Sequence, residues 1–203
     1  MININVFRHD LIHHAAQLDL LQKQAAQYER DIAALLSSQE LYQKVIILLQ
    51  KTSEYSRSRM KNRIEGIVTQ ALQVCFGNEY SFVIEMDTRG GAPVANLCVE
   101  QAGNKFNPID SKGGGLVDIV TTALRLAVLE LYEPKIDGPI FLDEVGKHVS
   151  SEYIEAFAYF LKEYSARVGR QIILVTHNET LSGIGDKTFR VIIENGVSKV
   201  REI

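Results

Sequence analysis

The sequence predicts an α/β fold that follows a long helix, and three observations support this prediction. Residues 8–65 contain no Gly or Pro and show helical periodicity. Two apolar runs, 140–142 and 171–176, are separated by a segment with the spacing of an amphipathic helix. Strands that alternate with helices are typical of parallel β-α-β units. At 203 residues the chain is long enough for one domain with an appendage or for two small domains.

The composition is that of a soluble globular protein, with 46% hydrophobic and 23% charged residues. A net charge of −3 excludes a global attraction to nucleic acid or to anionic membranes, so any such contact requires a local patch. Cys75 and Cys98 are too few for a disulfide framework and indicate a reducing compartment. Without a signal peptide or a long uninterrupted apolar run, we expect a cytoplasmic protein with no membrane partner.

A heptad pattern occupies the N-terminal part of the chain. Alternating steps of three and four from Leu11 to Leu49 visit twelve positions, and all but His14 and Gln39 are apolar or aromatic. Such a seam predicts a coiled-coil arm, covered either by a helix from another chain or by a fold-back near Ser37-Ser38. Residues 2–7 alternate between apolar and polar and predict a short edge strand instead.

We expect two parts in the chain: residues 1–76 as an N-terminal segment with the coiled-coil arm, and residues 77–203 as a lobe. The predicted lobe elements are strands at 80–87 and 94–100, a loop at 104–110, a buried helix at 116–132, a fully buried strand at 140–142, a helix at 152–168, a second buried strand at 171–176, and a hairpin formed by 189–194 and 197–203.

Four cations lie close together near the end of the long helix: Arg57, Arg59, Lys61 and Arg63. A solvated helix face explains them adequately, because charged residues usually cover the exposed side of a helix. The same patch is the local feature from which contact with nucleic acid is predicted. Both interpretations stay open at this point.

Three short stretches of the lobe have residue types that suit phosphate chemistry. Gly113-Gly114-Gly115 directly precedes a helix, whose N-terminus offers unpaired N–H groups to an anion. Asp143 and Glu144 end one predicted strand, and His177 follows the other. The carboxyl ends of parallel strands meet at one edge of a sheet, so these residues are expected to converge there. The alternatives are a flexible glycine turn, two carboxylates that cap the next helix, and a histidine without a catalytic role.

In the order and spacing of these stretches, the chain resembles the C-terminal half of an ATP-binding-cassette head of the SMC and double-strand-break-repair type. The resemblance matches the signature loop to Gly113–Gly115, the Walker B strand to Ile140–Glu144, the D-loop to His148–Ser150, and the switch histidine to His177. It implies the C-terminal lobe of an ABC-type ATPase head, with a mixed sheet and flanking helices, joined to a coiled-coil helix.

The resemblance also implies roles for individual residues. Asp143 would hold Mg²⁺, usually through water, Glu144 would polarise the attacking water, and His177 would contact the γ-phosphate of ATP. The glycine loop would face nucleotide held by an opposing head. Ser111 and Ser150 are the other candidate nucleotide contacts, and ATP and Mg²⁺ are expected only in a composite site.

The chain departs from the family pattern in three places. It contains no phosphate loop of the form G-x-x-x-x-G-K-[ST], so a partner that bears the Walker A sequence is expected and the chain alone should be inactive. Ser150 stands where the family usually has aspartate. The signature either matches from Ser111, or, anchored on Arg125-Leu126-Ala127, places Gly113 at the family's serine; we prefer the second alignment.

Three functional hypotheses follow. The first is one half of a split or truncated SMC-like ATPase in DNA repair, recombination or defence, completed by a Walker-A-bearing half. The second is a non-catalytic module that assembles through its coiled coil, for example as a homodimer. The third is an unrelated metal enzyme that uses Asp143, Glu144 and the cluster His9, His13 and His14. DNA as a partner rests mainly on the resemblance.

Overall fold

The computed structural model describes residues 4–90, 92–110 and 113–203. The chain divides into two compact units, residues 1–57 and residues 58–203. The division at residues 76 and 77 remains a prediction. The helices and strands are, in chain order, α1 (Ile4–Phe76), β1 (Tyr80–Arg89), β2 (Ala92–Gln101), β3 (Asn104–Phe106), α2 (Gly114–Leu131), β4 (Ile140–Asp143), α3 (Ser151–Val168), β5 (Ile172–Val175), α4 (Glu179–Gly183), β6 (Phe189–Glu194) and β7 (Val197–Glu202).

Helix α1 is continuous over its 73 residues. At the predicted fold-back, the Ser38 hydroxyl donates to the Ala34 carbonyl at 3.0 Å and the helix goes on, so the fold-back alternative is wrong. The strand predicted over residues 2–7 is also wrong from Ile4 onward, since the helix begins there. Extending a formed helix adds one backbone hydrogen bond per residue. This gain favours the helix over a strand that only five alternating residues predict. Residues 2 and 3 lie outside the described residues.

The heptad seam of the first unit is exposed along its whole length. The large apolar seam residues from Leu11 to Leu49 keep between 54% and 69% of their surface accessible. Helix α1 is also long and apolar enough, by length and composition alone, to count as a membrane-span candidate, with none of that window buried. Core helices of soluble proteins pass the same criterion. The sustained heptads favour a coiled-coil strand whose partner is another helix.

The second unit has one hydrophobic core, to which the last turns of α1 contribute. Val68 and Leu72 of α1 are fully buried, together with residues from β1, β2, α2 and α3. Helix α1 ends at Phe76, because Gly77 takes a positive φ of 106° and its N–H donates to the Gln73 carbonyl at 3.0 Å. The core thus fixes one end of α1 against the α/β elements.

Among the described residues of this unit, the strands form three small sheets. Strands β1, β2 and β3 form an antiparallel sheet, β4 and β5 pair in parallel, and β6 and β7 form the hairpin predicted at Asn195-Gly196. Strand β3 lies where the sequence predicts a loop. Its three residues, Asn104–Phe106, are too few to produce a recognisable alternation.

The parallel strands β4 and β5 are not fully buried, which corrects the prediction. Ile140 and Leu142 belong to the core, whereas Phe141 is 70% exposed and Val175 is 57% exposed. The core residues cover one face of the pair, and no element within the described residues covers the other. Apolar side chains on both faces are typical of strands in a sheet that is covered on both sides.

Polar contacts also join the three helices of the core. Arg63 of α1 forms an ion pair with Glu130 of α2. Arg167 of α3 donates to the Gln70 side chain of α1 at 2.5 Å, and the buried Tyr164 hydroxyl donates to a carbonyl of α2 at 3.0 Å. The second carboxylate oxygen of Glu130 is buried and has no hydrogen-bond partner among the described residues. Arg63 therefore supplies the positive charge that compensates the negative charge of Glu130.

Substituting Arg63 with alanine should lower the free energy of unfolding by about 1–2 kcal/mol, because a half-buried carboxylate loses its partner. The matched control is Arg59→Ala, since the described residues offer Arg59 no ion pair; its effect should stay within about 0.5 kcal/mol. Denaturant unfolding of both variants measures the difference. Equal losses for the two arginines would contradict the pairing.

The buried thiol of Cys75 predicts that the stability of the fold depends on pH. Burial raises the pKa of the Cys75 thiol to about 12, against about 8.5 in an unfolded chain. Above about pH 8.5 the unfolded state loses a proton that the folded state keeps, so stability falls as pH rises, by up to about 1.4 kcal/mol per pH unit. Below about pH 8.5 the thiol is protonated in both states, so its contribution to stability does not change with pH.

In urea unfolding between about pH 8.5 and pH 10, Cys75→Ala should therefore lose less stability with rising pH than the unsubstituted chain. Cys98→Ala is the control, since Cys98 is only partly buried. The comparison uses the slopes and not the absolute values, because removing a core side chain also creates a cavity. Identical slopes for the unsubstituted chain and Cys75→Ala would refute the assignment.

Candidate functional site

The parallel pairing of β4 with β5 brings the two strand ends together. In its register Asp143 lies opposite Val175, and the Glu144 N–H then donates to the Val175 carbonyl at 2.9 Å. The ladder thus extends one residue past β4, to the position where the chain turns away. The side chains that follow each strand emerge at the same sheet edge, as the sequence predicts.

Glu144 and His177 are in direct contact at this edge. The Glu144 Oε2 atom lies 2.6 Å from His177 Nδ1, and the two side chains are 42% and 69% exposed. Glu144 also has a positive φ of 51°, a conformation that costs a non-glycine residue about 1–2 kcal/mol. A carboxylate and an imidazole that are in contact and open to solvent can orient a water molecule and accept its proton.

Asp143 is the last residue of β4 and is exposed beside this pair. Carboxylate oxygens are ligands that Mg²⁺ prefers, and Mg²⁺ keeps several waters and phosphate oxygens in nucleotide sites. Within the described residues no three His, Cys, Asp or Glu side chains lie close enough to form a metal site by themselves. The role of Asp143 as a magnesium ligand stays a prediction. The cluster His9, His13 and His14 gains no support as a metal centre.

Neither carboxylate caps the next helix, so that alternative is wrong. The N-cap of α3 is Ser150, whose side chain makes no capping hydrogen bond. Its carbonyl accepts from Tyr153 N and Ile154 N at 3.0 and 3.1 Å, and its side chain is exposed. The structure gives Ser150 a position at the start of α3 and leaves its predicted role as a nucleotide contact open.

The glycine triplet forms a close contact with the segment that follows Glu144. Gly113 is the N-cap of α2, and α2 begins at Gly114. A Cβ atom at Gly115 would lie 3.0 Å from the His148 carbonyl oxygen, and one at Gly114 would lie 3.1 Å from His148 Cβ. Side chains at Gly114 and Gly115 would therefore crowd this segment, whereas Gly113 has open space around it. The glycine loop's role as a phosphate contact stays a prediction. Ser111 lies outside the described residues.

The sequence analysis missed Asp118, which belongs to the same contact. Its Oδ2 atom accepts from the His148 backbone N–H at 2.8 Å and lies 3.1 Å from His148 Nδ1. Its position in the sequence could have pointed to it, since Asp118 is the one acidic residue in the first three turns of the mainly apolar helix α2. The sequence alone does not show that this carboxylate faces residue 148.

The predicted basic patch is partly neutralised within the chain. Lys61 forms an ion pair with Glu65 at 3.7 Å, and Arg63 pairs with Glu130. Arg57 donates to the Ser53 hydroxyl at 2.8 Å, so its charge remains uncompensated, as does that of Arg59 among the described residues. Two cations rather than four are thus fully available, and nucleic-acid contact stays a prediction.

No protein-family model matches the chain. Two curated proteins with similar sequences are both DNA double-strand break repair Rad50 ATPases. The protein from Methanopyrus kandleri is 32% identical over 162 residues, which is 77% of this chain and 18% of the relative. The protein from Thermococcus kodakarensis is 36% identical over 80 residues, or 39% of this chain and 9% of the relative. The chain thus spans less than a fifth of either relative.

Solved structures share the fold over most of the chain. One is the Smc head of Pyrococcus furiosus, with an extended coiled coil and bound to the C-terminal domain of ScpA. It has a TM-score of 0.69 at 18% identity, and the match covers 98% of this chain and 49% of that head. The Smc head of Pyrococcus yayanosii, with a coiled coil and joint, has a TM-score of 0.69 at 17% identity. The match covers 91% of this chain and 35% of that head. In sequence the chain is similar to Rad50 ATPases and in fold to SMC heads with a coiled coil, which fits a C-terminal fragment of such an ATPase head.

Proposed function

We propose that the lobe supplies the signature loop, the Walker B strand and the switch histidine of a composite ATP site, in an SMC-like ATPase of DNA repair, recombination or defence. The observation that supports this most strongly is the 2.6 Å contact between Glu144 and His177 beside Asp143. These side chains have different roles in ATP hydrolysis, and all three stand at the carboxyl end of one parallel strand pair.

Each residue of the group has a distinct part in the proposed reaction. Asp143 would hold Mg²⁺, which would neutralise charge on the phosphates. Glu144 orients the attacking water and accepts its proton. His177 donates a hydrogen bond to the γ-phosphate, and its contact with Glu144 holds both side chains at the reacting position. Gly113, Gly114 and Gly115 offer the N-terminus of α2 to the phosphates of a second nucleotide site.

A second polypeptide or segment with a phosphate loop completes the site in this proposal. This chain has no such loop, and the β- and γ-phosphates of ATP need one in this type of ATPase. The exposed apolar side chains of Phe141 and Val175 support the same conclusion, because they lie on a sheet face that no described element covers. The matched Smc head is about twice as long as this chain, which spans 49% of it.

DNA is the proposed substrate of the assembled ATPase, and the cytoplasm its location. The curated relatives are DNA double-strand break repair ATPases, and an SMC ATPase structure of the same fold concerns ATP-driven dimerization and DNA-stimulated activation. Arg57 and Arg59, whose charges remain uncompensated among the described residues, are the candidate contacts to the DNA backbone. A homodimer of this chain is a further proposed assembly.

Replacing Glu144 with glutamine should lower ATP turnover at least about 100-fold in the complex with a phosphate-loop partner, because the amide cannot accept the proton of water. ATP binding should be retained, since the phosphates contact other residues. Steady-state hydrolysis and nucleotide binding measure the two effects separately.

Glu155→Gln is the matched control, because Glu155 is an exposed carboxylate on α3. It should leave turnover unchanged. A complex that hydrolyses ATP at the same rate with and without the Glu144 substitution would show that the proposed site is wrong.

The exposed heptad seam favours a second candidate function, that of a non-catalytic module assembled through its coiled coil. In that case light scattering should give the chain the mass of a stable homodimer that ignores ATP. Ile32→Glu combined with Leu35→Glu places charges on the seam and should convert this dimer to a monomer. A chain that is monomeric before substitution and hydrolyses ATP with its partner would exclude this function.

A further inference from the structure

Asp118 lies in the second turn of α2, close to the glycine triplet. Its carboxylate accepts from the backbone N–H of His148 and faces the ring of the same residue through Nδ1. One oxygen, Oδ2, makes both contacts, at 2.8 and 3.1 Å. The Asp118 side chain is partly buried, so solvent competes less with these bonds than it would at an exposed site.

The glycines provide the steric half of the same contact. Gly115 approaches the backbone of residues 148 and 149 so closely that a Cβ atom would lie 3.1 Å from Val149 Cα. A side chain at position 114 or 115 would therefore crowd this segment and require it to shift by a few tenths of an ångström. The carboxylate of Asp118, one turn further along the helix, then fixes the segment by hydrogen bonds.

The segment from Val145 to Val149 connects this contact to Glu144 with little freedom. Val145 and Val149 are buried in the core. Between them Gly146 has a positive φ of 75°, and a Cβ atom there would lie 3.1 Å from the Phe157 ring. The Val149 N–H donates to the Gly146 carbonyl at 3.1 Å and closes the turn. A displacement of His148 would therefore displace the backbone that carries Glu144.

From these contacts we propose that Asp118 is a positioning residue, which locks the glycine loop and the segment after Glu144 in one fixed arrangement through His148. This inference rests on the proposed function, because it concerns how the two nucleotide-facing parts of the lobe are held relative to each other. Asp118 itself touches neither nucleotide nor the reacting atoms. Its effect passes through the backbone N–H and the ring of His148.

The arrangement predicts a specific tautomer of His148. In the neutral ring, Nδ1 carries the proton and donates to Asp118, although free histidine favours the proton on Nε2. Asp118→Asn keeps the size of the side chain and an oxygen that can accept from the His148 N–H. Its amide nitrogen then faces Nδ1 as a donor, so the ring proton should move to Nε2.

The experiment measures ¹⁵N shifts of the His148 ring and hydrogen exchange of the His148 amide, on the full chain at a pH where the imidazole is neutral. Asp118→Asn should switch the tautomer, and Asp118→Ala should increase the amide exchange rate at least about tenfold. His148→Asn should keep the amide protected, because the backbone donor is unchanged and an asparagine N–H replaces Nδ1–H. Asp137→Asn, at an exposed position, is the matched control for both readings.

An unchanged tautomer in Asp118→Asn, together with unchanged amide exchange in Asp118→Ala, would overturn the proposal; Asp118→Asn decides alone if Asp118→Ala fails to fold. In an active complex with the phosphate-loop partner, Asp118→Ala should lower kcat at least about tenfold, and the control Asp137→Asn should leave it unchanged. Full turnover in Asp118→Ala would also overturn the positioning role. An inactive unsubstituted complex would refute the proposed function instead, and the exchange data would still decide whether Asp118 joins the two segments.

Discussion

The parallel pairing of β4 with β5 is the constraint on which the rest of the site depends. Its register sets Asp143 opposite Val175, and the hydrogen bond from Glu144 N–H to the Val175 carbonyl carries that register to the end of the sheet. Only in this register do Glu144 and His177 meet at 2.6 Å. A shift by one residue would turn the side chains to the opposite faces of the strands. The core side chains of β4 hold the register because they fit only one face.

The sequence predicts those parts of the fold that depend on local patterns. Helix α1, the end of α3 at Gly169 and the terminal hairpin follow from periodicity, from a glycine at a helix end and from an Asn-Gly turn. The convergence of Asp143, Glu144 and His177 is also predictable, because parallel strands in sequence order expose their carboxyl ends together. Each of these features needs only neighbours in the chain or the pairing of two strands.

Features that depend on distant residues are not predictable in the same way. The contact between Asp118 and His148 joins positions 30 residues apart, and neither residue has a pattern that points to the other. The charge of Arg63 looks available in the sequence, but Glu130 pairs with it from another helix. The apolar run of β4 predicts burial on both faces, and Phe141 is exposed because burial also depends on a covering element that the run does not specify.

In the proposed function, the lobe contributes the water-activating residues of an ATP site, and a partner contributes the phosphate loop that this sequence lacks. Calorimetric titration of Mg–ATP into the chain, alone and with a phosphate-loop partner, tests this most directly. The account predicts no binding to the chain alone below roughly 1 mM, and binding in the micromolar range, about 4 kcal/mol stronger, once the partner is present. Micromolar binding of ATP to the chain alone, weakened by Asp143→Asn, would contradict it.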